Sequence, residues 1–107
     1  MKYQVYIIAD AEDDIFGIYR YIARNDSIRK AETVLKNIED KIYGLSELAN
    51  RGHIPSELDR IGINEYREIH YQPYRIIYQV IGSDFFIHCV LDGRRDLEDL
   101  LQEKLLR

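Results

Sequence analysis

Three strand-like runs in the second half of the chain constrain the fold more than any other feature. They occupy residues 66–71, 74–81 and 85–91, and each is rich in aromatic and β-branched residues. Gln72-Pro73 separates the first pair of runs, and Gly82-Ser83-Asp84 separates the second pair. Connections this short join neighbouring antiparallel strands. The pattern therefore predicts a three-stranded antiparallel meander.

The first half of the chain predicts one strand followed by two helices. Residues 3–9 carry apolar side chains at alternating positions, and Asp10 is a good N-cap for the helix that follows. The apolar stripe of this helix recurs at spacings of three and four residues, at Ala11, Ile15, Ile18 and Ile22. After a break at residues 24–27, a second stripe runs from Ala31 to Ala49, and Gly52 then suits a left-handed C-terminal cap. Two antiparallel helices are expected on one face of the sheet.

The remaining segments predict a connector and a final helix. Residues 53–64 lack a clean period, with one short turn expected near residues 57–61, and residues 96–107 form an amphipathic pattern with Asp96 as N-cap. The order strand, helix, helix, three strands, helix separates the helices from a largely antiparallel sheet, which defines the α+β class. A length of 107 residues suits a single domain over residues 1–107.

The composition predicts a soluble cytoplasmic protein. The net charge is −4, and neither half of the chain has the basic excess that phosphate binding favours, although a local basic patch remains open. No apolar run approaches the ~20 residues that span a bilayer, and no secretory signal begins the chain, so no membrane association is expected. Cys89 is the single cysteine, which excludes an internal disulfide, and its apolar neighbours predict a buried thiol.

Arginines and histidines of the meander are the candidate site residues. Arg67 and Arg75 flank the first turn and could contact a partner, although pairing with carboxylates across the sheet is the more common role of such residues. His70 and His88 are candidates for a general acid or base, because histidine titrates near neutrality. His88 alternates with Phe86 and Val90, which favours a core position, and His53 in the connector is expected at the surface.

Metal and cofactor sites are not predicted. The histidines lie 17 and 18 residues apart, and no motif places two metal ligands on one element. The sequence also lacks a glycine-rich phosphate loop and a nucleophile motif. Arg94 and Arg95 follow the last strand-like run and could hold a phosphate or a partner carboxylate, or pair with neighbouring aspartates.

Several segments resemble those of the RelE/ParE toxin superfamily. They are Glu65-Tyr66-Arg67-Glu68-Ile69, Pro73-Tyr74-Arg75-Ile76-Ile77-Tyr78 and Val90-Leu91-Asp92-Gly93-Arg94-Arg95-Asp96. The similarity extends over the whole chain and is closest to the ParE and plasmid-stabilisation branch. It implies the toxin of a type II toxin-antitoxin pair, without a cofactor, in a hetero-oligomer with its cognate antitoxin. The disordered tail of such an antitoxin folds over the toxin, which suits an apolar, tyrosine-rich groove.

The resemblance leaves the target open between two branches. RelE-like members cleave messenger RNA on the ribosome without a metal, using basic sheet residues and a histidine or tyrosine near the end of the last strand. ParE-like members inhibit DNA gyrase. Here Asp92 and Gly93 stand at the end of the last strand, where they supply no obvious general acid, and this favours the gyrase branch.

The expected gyrase contacts are Arg67, Arg75, Arg94 and Arg95. The first alternative is a ribosome-dependent endoribonuclease that uses Arg67, Arg75 and either His70 or His88. The second is a non-toxic member that binds only its antitoxin.

Overall fold

A four-stranded sheet carries two long helices on one face and two short helices on the other. The computed structural model describes residues 3–47, 52–94 and 98–105. Its elements are, in chain order, β1 (Gln4–Ile7), α1 (Ala9–Asn25), α2 (Ile28–Gly44), α3 (Ser56–Asp59), β2 (Tyr66–Tyr71), β3 (Tyr74–Ile81), β4 (Asp84–Asp92) and α4 (Glu98–Leu105).

The sheet has the strand order β1-β4-β3-β2. Strands β2, β3 and β4 form the predicted antiparallel meander, and the first strand pairs with β4 in parallel. Gly82 has a φ of +62° in the two-residue turn between β3 and β4, a conformation that glycine adopts without steric cost. The predicted α+β class, with a strand, a helical hairpin, a meander and a C-terminal helix, is confirmed.

Each face of the sheet has its own apolar core. The core beneath α1 and α2 contains Ala11, Ile15, Ile22, Ala31, Ile38, Ile42, Ile69, Tyr74, Ile76, Tyr78, Phe85, Ile87 and Val90. The core beneath α3 and α4 contains Leu58, Tyr66, Ile77, Cys89, Leu91 and Leu101. The predicted burial of Cys89 is confirmed, and this burial raises the pKa of its thiol to about 12. The C-terminal helix is docked, because Leu101 is fully buried in the second core.

A β-bulge changes the expected orientation of His88. Ile77 pairs with Cys89 and Tyr78 pairs with Ile87, so His88 is the extra residue of β4. Val90 consequently packs on the helix side with α1 and α2, whereas Cys89 packs in the second core. The expectation that His88 alternates regularly with Phe86 and Val90 is therefore wrong for Val90, because the bulge interrupts the period of two.

The helix boundaries differ from the predicted ones where tertiary contacts replace local signals. The N-cap of α1 is Ile8, not Asp10, and no side chain caps this helix. The Ile8 amide donates to the Ile87 carbonyl at 3.2 Å, so the chain passes directly from the sheet into the helix. The second helix begins after Ser27, whose hydroxyl accepts from the Lys30 amide at 3.0 Å, and it ends at Gly44 rather than near Ala49.

Gly52 serves packing rather than a left-handed cap. The second helix ends at Gly44 with Leu45 as its C-cap, so the prediction that Gly52 caps this helix is wrong. A Cβ at this position would collide with the Tyr78 ring and lie 2.8 Å from the Glu68 carbonyl oxygen. The expected N-cap Asp96 lies outside the described residues.

None of the described helices is both long enough and apolar enough to cross a membrane.

Candidate functional site

The two hairpin arginines lie on opposite faces of the sheet. Arg67 is paired across the strands with Tyr78, which belongs to the core beneath α1 and α2, whereas Arg75 is paired with His70. The exposed Arg67 donates from Nη1 to the Gly52 carbonyl at 3.2 Å. Arg67 and Arg75 therefore do not form one cationic site, although they flank the same turn.

Arg75 is held between two carboxylates. Its Nη1 and Nη2 donate to Glu57 at 2.6 and 2.8 Å, and its Nε and Nη2 donate to Glu68 at 2.6 and 2.9 Å. The side chains of Arg75 and Glu57 are each 14% exposed, and that of Glu68 is 3% exposed. The expectation that a sheet arginine pairs with carboxylates is confirmed for Arg75.

The ionisation of this pair follows from its hydrogen bonds. Hydrogen bonding from Arg75 lowers the pKa of Glu57 to about 2, against the opposing effect of burial. The same hydrogen bonding to Glu57 is the largest influence raising the pKa of Arg75. Both groups are charged at neutral pH, and the guanidinium is already engaged on two sides.

Two histidines complete what we call the Arg75 cluster, which comprises His53, Glu57, Glu68, His70 and Arg75. The Nε2 atom of His70 lies 3.0 Å from Glu68 Oε1, and that of His53 lies 3.4 Å from Glu68 Oε2. Their ring centroids are 5.3 Å apart in an edge-to-face arrangement. His53 was expected at the surface, and its side chain is 63% exposed. One donor atom from each of His53, Glu68 and His70 could reach a common metal ion.

The hydrogen bond and ring contact of His88 are made to residues outside this cluster. Its Nε2 is 3.1 Å from Gln79 Oε1, and its ring packs edge-to-face against Tyr66. Burial lowers the pKa of His88, so the imidazole is neutral at physiological pH. The structure thus separates the two sheet histidines that the sequence had grouped as acid or base candidates.

The end of β4 is closely packed around Gly93. Its amide donates to the Pro73 carbonyl at 2.7 Å, and a Cβ at this position would lie 3.0 Å from the same oxygen and 3.1 Å from the Arg75 side-chain carbons. The exposed Arg94 folds back on Asp92, with Nε and Nη2 distances of 3.0 and 2.7 Å, which raises the pKa of Arg94. Arg95 lies outside the described residues.

A groove of about 920 Å³ runs beside this end of the sheet. It lies between α1, the start of α2, the turn joining β2 and β3, and the end of β4, and we call it the α1 groove. Exposed Tyr21, the ring of Tyr74 and the aliphatic Ile18 line it together with Asp13 and Arg94. The groove therefore offers apolar and aromatic surface with charges of both signs.

Sequence reasoning missed several residues that organise these surfaces. Glu68 is a predicted carboxylate partner of the sheet arginines, but Glu57, which also fixes Arg75, lies in a connector without a period. Asp14 accepts from the Val90 amide at 3.0 Å, at the β4 edge that the first strand leaves uncovered, and it also pairs with Lys104 of α4. The i, i+2 spacing of Glu68 and His70 was the one local signal available.

Comparisons with known proteins agree on one class. Residues 5–97 match the family described as the ParE toxin of the type II toxin-antitoxin system, parDE. Toxin ParE3 of Caulobacter vibrioides is 30% identical over 91 residues, which is 85% of this chain and 87% of that protein. The fold and the sequence thus define a toxin of the type II toxin-antitoxin class.

Solved structures share this fold at lower sequence identity. A chain of the chromosomal ParDE system from P. aeruginosa superposes with a TM-score of 0.69 at 18% identity, covering 83% of this chain and 94% of its own length. A chain of the RelBE2 toxin-antitoxin complex from Mycobacterium tuberculosis gives 0.63 at 17% identity, covering 84% and 96%. The protein belongs to the ParE toxin family, within the RelE/ParE superfamily.

Proposed function

We propose that this protein inhibits DNA gyrase in the cytoplasm and is neutralised by a cognate antitoxin. Membership of the ParE family supports a toxin role, and the gyrase target is what the resemblance to the ParE branch implies. The two similar solved structures are described as a ParDE system and a RelBE2 toxin-antitoxin complex, which supports an antitoxin partner.

The packing around Gly93 is the observation that carries the choice of gyrase over messenger RNA. A general acid at the end of the last strand would need a side chain there, but Gly93 has none, and a Cβ at this position would lie only 3.0 Å from the Pro73 carbonyl oxygen and 3.1 Å from the Arg75 side chain. Asp92 precedes it and is ion-paired with Arg94. Arg75, which a ribonuclease would aim at phosphate, is instead neutralised by Glu57 and Glu68.

Exposure divides the proposed contact residues into two groups. Arg67 and Arg94 present charge at the surface, so we assign them to contact with gyrase. Arg75 is enclosed, and its proposed role is to hold β2, β3 and the connector in the geometry that displays the others. Arg95 stays a proposed contact on the basis of its sequence position beside Arg94.

We propose the α1 groove as the binding site of the antitoxin. An unfolded segment that orders on binding needs apolar surface to offset its loss of entropy, and the groove supplies tyrosine rings and aliphatic side chains. Its opposite charges, from Asp13 and Arg94, would fix the direction and register of the bound segment.

A supercoiling assay with purified gyrase tests the proposed activity. The wild-type chain should inhibit supercoiling, and Arg67→Ala and Arg94→Ala should each weaken the inhibition by about tenfold, as expected for loss of an arginine at an interface. Arg29→Ala is the matched control, because Arg29 is exposed on α2 outside the α1 groove. Adding the cognate antitoxin should restore supercoiling.

A coupled translation reaction run in parallel separates the alternatives. Unchanged supercoiling together with cleavage of ribosome-bound messenger RNA would overturn the proposal in favour of an endoribonuclease. Inactivity in both assays, combined with tight binding of the antitoxin, would identify a non-toxic family member.

A further inference from the structure

The exposed edge of the Arg75 cluster brings two imidazoles onto one buried carboxylate. We propose that His53, Glu68 and His70 bind a divalent first-row transition-metal ion, with Zn²⁺ as its representative. This site is independent of the proposed gyrase inhibition. The spacing of the histidines does not indicate this site, because Glu68 and His70 lie two residues apart on β2 whereas His53 comes from the connector.

The backbone sets the three side chains in place. His53 and Glu68 form an antiparallel β-bridge, in which the His53 amide donates to the Glu68 carbonyl at 3.1 Å and the Glu68 amide donates back at 2.7 Å. Directly paired residues of an antiparallel bridge project to the same face, and His70 follows Glu68 by two residues on β2. All three side chains therefore share a face without any rearrangement of the chain.

The donor atoms lie near the spacing that a tetrahedral ion requires. Zn²⁺ binds imidazole nitrogen and carboxylate oxygen at about 2.0–2.2 Å, which places neighbouring ligand atoms about 3.4 Å apart. The Nε2 atom of His53 is 3.4 Å from Glu68 Oε2, and that of His70 is 3.0 Å from Glu68 Oε1. These two distances are to different oxygens of Glu68, but one donor atom from each residue lies within 4.8 Å of both others, so side-chain adjustment would bring three donors around one ion.

The charges of the cluster favour a cation at this point. Glu57 and Glu68 carry two negative charges and Arg75 carries one positive charge, which leaves an excess of one negative charge beside the histidines. Glu68 keeps acceptor capacity beside Arg75, because a carboxylate has about four lone-pair sites and Arg75 uses two of them. Arg75 instead orients the carboxylate from behind, as hydrogen-bonding partners of metal ligands commonly do.

The exposure of the ligands describes the kind of site. Glu68 is 3% exposed, whereas the side chains of His70 and His53 are 38% and 63% exposed, so the ion would be reached from solvent on one side. Three protein ligands leave a coordination position for water or for a partner's side chain. Two imidazoles and one carboxylate suit Zn²⁺ and its first-row neighbours better than Mg²⁺ or Ca²⁺, which prefer oxygen ligands.

Calorimetric titration of the tag-free full-length chain with ZnCl₂ tests the proposal. A tag-free chain is needed because a polyhistidine tag binds the same ions. We expect one ion per chain, with a rise in the unfolding temperature on addition of Zn²⁺. Co²⁺ should bind at the same place and give the visible absorption of a four-coordinate complex with nitrogen and oxygen ligands.

Two ligand variants and one control decide the outcome. His53→Ala should weaken Zn²⁺ affinity by at least about tenfold, and the double variant His53→Ala, His70→Ala should abolish the one-site isotherm. His88→Gln is the control, because His88 lies on the same sheet face but contacts Gln79 and Tyr66, which are outside the cluster. Since His53 is exposed, its loss should leave the fold intact, which circular dichroism checks.

Two results would overturn the proposed metal site. No heat of binding and no Co²⁺ absorption in the wild-type chain would overturn the proposal. So would a wild-type affinity that the double variant retains, because the ion would then be bound elsewhere on the surface.

Discussion

The Glu57–Arg75 ion pair predicts a measurable share of the stability. Hydrogen bonding from Arg75 lowers the pKa of Glu57 from 4.5 to about 2. Since one pKa unit corresponds to about 1.4 kcal/mol, the ionised carboxylate contributes at most about 3 kcal/mol to the free energy of unfolding. Both side chains are 14% exposed, so solvent screening reduces this value only in part. Glu57→Gln should therefore destabilise the protein by about 1–3 kcal/mol at neutral pH.

The direction of the pKa shift sets the pH window of this effect. The pKa of Glu57 is lower in the folded state than in the unfolded state, so its contribution is complete above about pH 4.5 and is lost as the pH falls towards 2. The stability difference between wild type and Glu57→Gln should be constant from neutral pH down to about pH 5 and should shrink below that. Urea unfolding followed by far-ultraviolet circular dichroism at each pH measures both quantities.

Two further variants show whether the ion pair is the cause. Glu32→Gln removes an exposed carboxylate from α2 and should change the unfolding free energy by less than about 0.5 kcal/mol. Arg75→Met should cost more than Glu57→Gln, about 3–5 kcal/mol, because it leaves Glu68 buried without its cation. A Glu57→Gln deficit of the same size at acidic and neutral pH, or an Arg75→Met variant milder than Glu57→Gln, would refute the reasoning.

Three other perturbations test the packing. Gly52→Ala should lower the free energy of unfolding by about 1–3 kcal/mol, because the new Cβ meets the Tyr78 ring and the Glu68 carbonyl oxygen. Gly17→Ala, in open space on α1, should raise it by up to about 1 kcal/mol. Equal effects of the two variants in thermal unfolding would contradict this. Cys89 should react with a thiol reagent at least about a hundred times more slowly in the native than in the urea-unfolded chain, and fast native labelling would disprove its burial. Leu101→Ala should lower the free energy of unfolding by about 2–5 kcal/mol, whereas the exposed control Glu103→Ala should leave it almost unchanged. Equally small effects of the two variants would show that α4 is not docked.

The fold was predictable from sequence where its signals are local. Short turns after residues 71 and 81 and a period of two identify the meander, and the three-and-four spacing identifies both long helices. The errors lie where a distant contact overrides a local preference. Asp10 is a better intrinsic cap than Ile8, yet the bond from the Ile8 amide to Ile87 starts the helix earlier. The bulge at His88 likewise has no signature in its own segment.

The candidate site was predictable only in part, for the same reason. The sequence predicted that a sheet arginine would pair with carboxylates, and Glu68 lies on the strand beside Arg75. The second carboxylate, Glu57, lies 18 residues away in a connector that showed no period. His53 reaches the cluster through a β-bridge that forms only once β2 exists. Contacts between an irregular segment and a sheet depend on tertiary packing and leave little trace in the order of residues.

The burial of Arg75 and the absence of a side chain at Gly93 are linked by direct packing. The aliphatic part of Arg75 occupies the space beside Gly93, and its guanidinium is fixed by Glu57 and Glu68 at 2.6–2.9 Å. A side chain at position 93 would contact the Pro73 carbonyl oxygen and Arg75 more tightly than ordinary packing allows, so these neighbours would have to shift by a few tenths of an ångström. The ion pairs that fix the Arg75 guanidinium oppose that shift, so the contacts that stabilise this fold also disfavour a side chain at the end of β4.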